Sequence, residues 1–182
     1  MLKKYSYWII VSIFLYACST TKKHAEKNNR VEVKNGSIKK KPSSSSIETG
    51  SVDPKEVIVL AESLVGIPYQ WGSADPSKGL DCSGFISYVL KQFGLKVPRV
   101  SEQYTNLGKE VTLKESRAGD IILFTGSNAS SGKVGHMGII TGWDKGQVWF
   151  LHSASGGKKG VMLSTMSSYF KERFVKVNRI FF

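Results

Sequence analysis

The sequence predicts an α+β domain over residues 53–182, preceded by an N-terminal region of a different kind. Three observations carry this. Two helix-period segments open the folded part, a succession of strand-like runs closes it, and no internal repeat points to a solenoid or propeller. About 130 residues is the usual size of one domain with one hydrophobic core.

The elements follow in order. Asp53-Pro54-Lys55-Glu56 reads as a helix start, with an N-cap, proline at the first position and an acidic first turn. Val57, Leu60, Ala61 and Leu64 recur at helical spacing until Gly66 ends the element. After the loop "IPYQWGSADPSKGL", a second helix opens at Asp81 and carries Phe85, Ile86, Val89, Leu90 and Phe93 to Gly94. "KVPRVSEQYTNLG" reads as a turn with a short helix. The strand-like runs are "KEVTL", "DIILF", "GHMGIIT", "VWFLHS", "GVMLS" and "FVKVNRIFF", with a short helix near Ser167 to Lys171 between the last two.

The N-terminal region divides at residue 18. Lys3 and Lys4, an apolar run from Trp8 to Tyr16 and then Ala17-Cys18 describe a secretory signal peptide over 1–17. "LYAC" resembles the lipobox of bacterial lipoproteins, in which the cysteine is acylated, so Cys18 is the expected lipidation site. Ser19 matches outer-membrane sorting. Residues 18–52 are rich in Lys, Ser and Asn and nearly free of large apolar side chains, so a disordered tether is expected there. As a coil it would reach about 32 Å root-mean-square.

The net charge of +12 is concentrated in this region. Residues 1–52 hold 10 basic and 3 acidic side chains, against 16 and 11 in residues 53–182. No basic patch is interleaved with aromatics, so no nucleic-acid partner is expected. The charge reads as solvating, in a polyanionic envelope.

The chain has two cysteines and three histidines. With Cys18 assigned to acylation and His24 to the tether, Cys82, His136 and His152 remain in the domain. A turn at Trp143-Asp144-Lys145 that pairs Gly142 with Gly146 would put His136 directly opposite His152, on one face with Cβ atoms about 5 Å apart. Cys82 falls in the first turn of the second helix, where free N–H groups and the helix dipole are expected to lower the thiol pKa toward roughly 3.5–7.5. Gly84, one turn inside, leaves room for a substrate or a facing strand. A nucleophilic thiolate with an imidazole beside it, oriented by a second imidazole, is the chemistry this set suggests. A structural cysteine, ordinary core histidines and a zinc site built from Cys82, His136, His152 and an Asp are the alternatives.

The motifs "DCSGF", "GHMGI" and "LHSAS", in that order, resemble the NlpC-type cell-wall cysteine peptidases, a papain-like family acting on bacterial peptidoglycan. "PYQWG", "VPRVSEQ" and "AGDIILF" fall in the matching places, and the resemblance runs from about Pro54 to Tyr169. It implies a papain-like domain with N-terminal helices packed on an antiparallel sheet. It also implies Cys82 as nucleophile, His136 as general base and His152 as the orienting third member. Tyr69 would serve the oxyanion and substrate amine, and Asp81 and Ser83 would line the pocket on the acyl side. Arg99 falls in the family's Pro-Arg-x-Ser pattern, with a stem carboxylate as the obvious partner. Ser73 stands where a second glycine usually follows "WG".

The whole plan resembles the short lipoprotein endopeptidases of Gram-negative envelopes. The expected activity is hydrolysis in the murein cross-link or within stem peptides, with the cross-link favoured. The alternatives are an inactive wall-binding lipoprotein and an amidase or acyltransferase on the same scaffold. No cofactor is implied. A monomer is expected, anchored by lipid to the cell envelope on the outer membrane and facing the periplasm. If Cys18 is acylated, Cys18→Ala should abolish labelling by a palmitate analogue and release the protein from the envelope fraction. Unchanged membrane fractionation would sink the lipoprotein reading.

Overall fold

The structure is a computed structural model that describes residues 45–156 and 160–182. The expected signal peptide, Cys18 and the tether up to residue 44 lie outside the described residues. The last part of the expected tether does not stay free. Ser45 bridges Leu107, with the Gly108 N–H donating to the Ser45 carbonyl at 2.8 Å, and Ile47 is buried in the core. The folded part therefore begins before residue 53. One isoleucine amid serines was too weak a sequence signal to show it.

Helix α1, Pro54–Ser63, starts as its sequence requires: the Asp53 carboxylate accepts from the Lys55 N–H at 2.9 Å. Its inner face buries Val57, Ile58 and Ala61. A two-residue hairpin that the sequence pattern did not announce follows, β1 (Ala74–Asp75) against β2 (Gly79–Leu80). Asp75 shapes its turn by accepting from both the N–H and the hydroxyl of Ser77. Helix α2, Cys82–Gln92, buries Phe85, Ile86, Val89 and Leu90, and a single 3-10 turn spans Ser101–Tyr104.

The remaining strands are β3 (Lys109–Val111), β4 (Ile121–Thr125), β5 (Val134–Asp144), β6 (Gln147–Ala154), β7 (Gly160–Thr165) and, after helix α3 (Ser168–Arg173), β8 (Phe174–Arg179). They form one antiparallel sheet in the order β3-β8-β4-β5-β6-β7. Mixed helices and antiparallel sheet are what the sequence pattern called for. Strand β4 is apolar at successive positions because both of its faces are covered. Ile121 and Leu123 join the core under α1 and α2, while Ile122 and Phe124 join a second cluster with Phe150, Val177 and the flanking Phe170 of α3. Among the described residues, no helix is long and apolar enough to cross a membrane.

One buried ion pair ties the sheet's centre together. Asp120, at the mouth of β4, is 1% exposed and takes both Arg179 Nε at 3.0 Å and a terminal Arg179 nitrogen at 2.9 Å. It also accepts from the Arg117 N–H at 2.9 Å. Asp120→Ala leaves Arg179 without its carboxylate, and removing one partner of a buried pair costs about 3 kcal/mol. A fall in the urea unfolding midpoint of the full chain should register that loss; an unmoved midpoint would show that the pair adds nothing.

Candidate active site

Cys82 is placed by the helix it begins. Asp81 caps α2 by accepting from the Gly84 N–H at 2.6 Å and the Ser83 hydroxyl at 3.2 Å. Arg99 closes a fork on the same carboxylate, at 3.0 and 2.7 Å, and donates to the Ser83 oxygen at 3.0 Å. Its guanidinium is thus engaged within the protein, by Asp81 and Ser83, which turns both side chains toward Arg99. Gly84 makes the room its position suggested, but a loop fills it. A Cβ there would collide with the Ser73 carbonyl oxygen, which accepts from the Asp81 N–H at 3.0 Å.

The same loop delivers Tyr69. Pro68 O accepts from the Leu80 N–H at 2.9 Å and the Gln70 N–H reaches Leu80 O, so residue 69 is strapped beside the strand that leads into Cys82. Ser153 on β6 donates to that same Leu80 carbonyl at 2.6 Å, fixing the helix start to the sheet. Trp71 is 82% exposed, at the edge of an open cavity of ≈ 590 Å³ that Gln70, Asp75 and Lys78 also line.

The histidines meet, though not by the expected register. The turn is the two-residue Lys145-Gly146, with φ of 47° and 76°, so Asp144 pairs with Gln147. A bulge between Ile140 and Gly142 then shifts the ladder again, so that Ile139 pairs with Leu151. Continued, this ladder puts Gly138 opposite His152, and His136 lies two residues farther along the same face. The imidazoles reach each other diagonally, His136 Nε2 to His152 Nδ1 at 3.0 Å, with their rings at 87°. Gly138 permits it, since a Cβ there would lie 2.7 Å from Leu151 O and 3.3 Å from the His152 Cβ. His152 Nε2 in turn is 2.9 Å from the Ser164 hydroxyl on β7. Ser164 was missed because a serine in "GVMLST" looks like any outward strand residue.

Cys82 is a free, partly exposed thiol, with its sulfur near the backbone amide of Met137, the residue after His136. The structure thus joins the two histidines to each other and sets Cys82 against the strand that carries one of them. The hydrogen bond of His136 Nε2 goes to His152, which leaves Nδ1 as its other ring nitrogen. Among the described residues, no group of three or more Cys, His, Asp or Glu side chains is gathered as metal ligands would be.

Electrostatically, the resting site differs from expectation. Burial and then the Asp81 carboxylate push the Cys82 thiol up to about 11, despite the amides of Ser83, Met137 and Cys82 itself. The helix terminus was expected to lower it. Its cap, however, brings a negative charge to the very place where the dipole is positive. Burial also lowers His136 to about 4, and lowers His152 to about 3 with help from His136. Asp81 itself is held below the usual carboxylate range: burial opposes its charge, but Arg99 and the Gly84 N–H outweigh that. Tyr69 is raised, by burial and then by Cys82 and Asp81 nearby, so its hydroxyl stays protonated and able to donate. At neutral pH the site therefore holds a thiol and two neutral imidazoles.

The sequence profile described as the NlpC/P60 family matches residues 66–179. The chain is 30% identical over 178 residues to the Escherichia coli murein DD-endopeptidase MepS/murein LD-carboxypeptidase, covering 94% of this chain and 89% of that protein. It is 33% identical over 125 residues to the Bacillus subtilis gamma-DL-glutamyl hydrolase, covering 68% of this chain and 28% of that longer protein. The other two of the first three Bacillus subtilis relatives are likewise spanned for only 38% and 41% of their lengths. Among solved structures, an NlpC/P60 family protein from Bacillus cereus superposes with a TM-score of 0.63 at 24% identity, over 72% of this chain and 41% of that one.

A thiol raised this far should react slowly with iodoacetamide at pH 7, and its rate should climb about tenfold per pH unit between 7 and 9 as the thiolate fraction grows. A plateau below pH 8 would restore the thiolate–imidazolium ion pair.

Proposed function

The chain belongs to the NlpC/P60 family, and on that premise we propose that it is a cysteine-type endopeptidase of peptidoglycan that cuts the D-alanyl to diamino acid bond of the cross-link. One observation carries the catalytic reading: His136 is hydrogen-bonded to a second, buried histidine, on a strand whose next residue, Met137, has its backbone amide near the Cys82 thiol. The near full-length match to a murein DD-endopeptidase favours the cross-link over the stem peptide, since the relatives whose names carry a glutamyl bond are spanned for less than half their length.

With thiol and imidazole both neutral, attack and proton transfer go together. The Cys82 sulfur adds to the scissile carbonyl carbon as its proton passes to His136 Nδ1. The Tyr69 hydroxyl donates to the developing oxyanion. Collapse breaks the C–N bond, and His136 returns the proton to the leaving amine, forming a thioester. A water molecule, deprotonated by His136, then adds to the thioester carbonyl; the Cys82 thiol leaves reprotonated and the new carboxyl is released. His152 holds the plane and tautomer of His136 throughout. Asp81, Ser83 and Arg99 act as one clamped unit that shapes the acyl-side wall. The lipid anchor at Cys18 and an outer-membrane location facing the periplasm remain part of the proposal, supported by the lipobox resemblance.

Incubation of defined cross-linked muropeptides with the full chain, read by mass spectrometry, tests the reaction: conversion of dimers to intact monomers is expected, and truncated stems would redirect the proposal to the stem-peptide bond. Within that assay, Cys82→Ala should leave no turnover, and His136→Ala should be nearly as damaging. His152→Asn should keep substantial activity, whereas His152→Ala should lose about 10- to 1,000-fold, a few kcal/mol at roughly 1.4 kcal/mol per decade. Higher activity in His136→Ala than in His152→Ala would reverse the base and the orienter.

A further inference from the structure

We infer that Ser164 is a positioning residue that sets where the protons sit on the histidine pair, its hydroxyl oxygen accepting from His152 Nε2–H. The inference rests on the proposed role of His136 as base, and it assigns a residue outside the family's three motifs.

The geometry is a chain of diagonal contacts across three neighbouring strands. His152 pairs with Met162, so Ser164, two residues along β7, shares its face just as His136 does on β5. The links are His136 Nε2 to His152 Nδ1 at 3.0 Å and His152 Nε2 to Ser164 Oγ at 2.9 Å. His152 is 2% exposed and wedged among Phe150, Phe170 and His136, so water has little access to complete its hydrogen bonding.

A neutral imidazole has one donor nitrogen and one acceptor, so the chain can run in only two directions. If Ser164 donates, His152 carries its proton on Nδ1 and gives it to His136 Nε2. His136 then bears N–H at Nδ1 and cannot accept a proton there. If Ser164 accepts, His152 is the Nε2–H tautomer, His136 donates from Nε2, and its Nδ1 lone pair is free. The thiol end selects between them. The proposed role of His136 as base requires a ring-nitrogen lone pair able to take the Cys82 proton. Only the second direction offers it an imidazole acceptor. A hydroxyl does this without adding charge, whereas a carboxylate in its place would hold the pair protonated.

Long-range proton–nitrogen NMR on the full chain, labelled with nitrogen-15 histidine, reads the tautomers directly. Single-histidine variants provide the assignments. The parent should show Nε2–H on both His136 and His152. In Ser164→Ala, His152 should become a mixture of tautomers, and kcat on muropeptides should fall about 3- to 30-fold at unchanged KM. Ser164→Thr, which restores the hydroxyl, should recover both. Nδ1–H on His152 in the parent, or an unchanged tautomer signal in Ser164→Ala, overturns the inference. A parent that cleaves no muropeptide would count against the proposed activity alone, because the tautomer result does not depend on turnover.

Discussion

The Asp81 carboxylate is the group on which the site's arrangement depends. It ends α2 by taking the Gly84 N–H, locks the Ser83 side chain and receives the Arg99 fork from a segment 18 residues away. Two otherwise separate pieces, the helix start and the Val97–Val100 stretch, are thereby held in one geometry. A charge-assisted bidentate pair suits the task because it fixes orientation as well as distance. The consequence falls on the neighbouring sulfur, whose negative form now lies beside a carboxylate.

That consequence shapes the chemistry. Burial and Asp81 keep Cys82 protonated, and burial keeps both imidazoles neutral. The thiol and the imidazoles therefore carry no charge at rest, and the charge beside them is confined to the Asp81–Arg99 pair. The Tyr69 hydroxyl, kept protonated by burial and by the neighbouring Cys82 and Asp81, is a donor beside the thiol.

The sheet supplies the other half of the frame. Strand β4 is covered on both faces and pairs with β5, whose ladder with β6 decides which side chains can touch. A direct opposition of His136 and His152 would have brought the rings side by side. The bulge and Gly138 instead produce a diagonal meeting with perpendicular rings, which aims a nitrogen of one at a nitrogen of the other. The same offset repeats toward Ser164 on β7, so the polar chain follows the sheet rather than any single strand.

What the sequence determined by itself were the local decisions. The caps at Asp53 and Asp81, the apolar spacing of both helices and the unbroken apolar run of β4 each arise from residues within a few positions of one another. Family membership was legible for the same reason, because its motifs are short and contiguous. The tertiary structure decided what depends on distant groups. The register of β5 on β6 hinged on Lys145 adopting a left-handed conformation and on one extra residue being absorbed at Thr141, energies too small to read from pattern. The partner of Arg99, the relay to Ser164 and the burial of Ile47 join residues far apart in the chain. The thiol's protonation was decided there too: the helix dipole is a local property, but the burial and the Asp81 charge that outweigh it act only once the helix end is packed against the sheet.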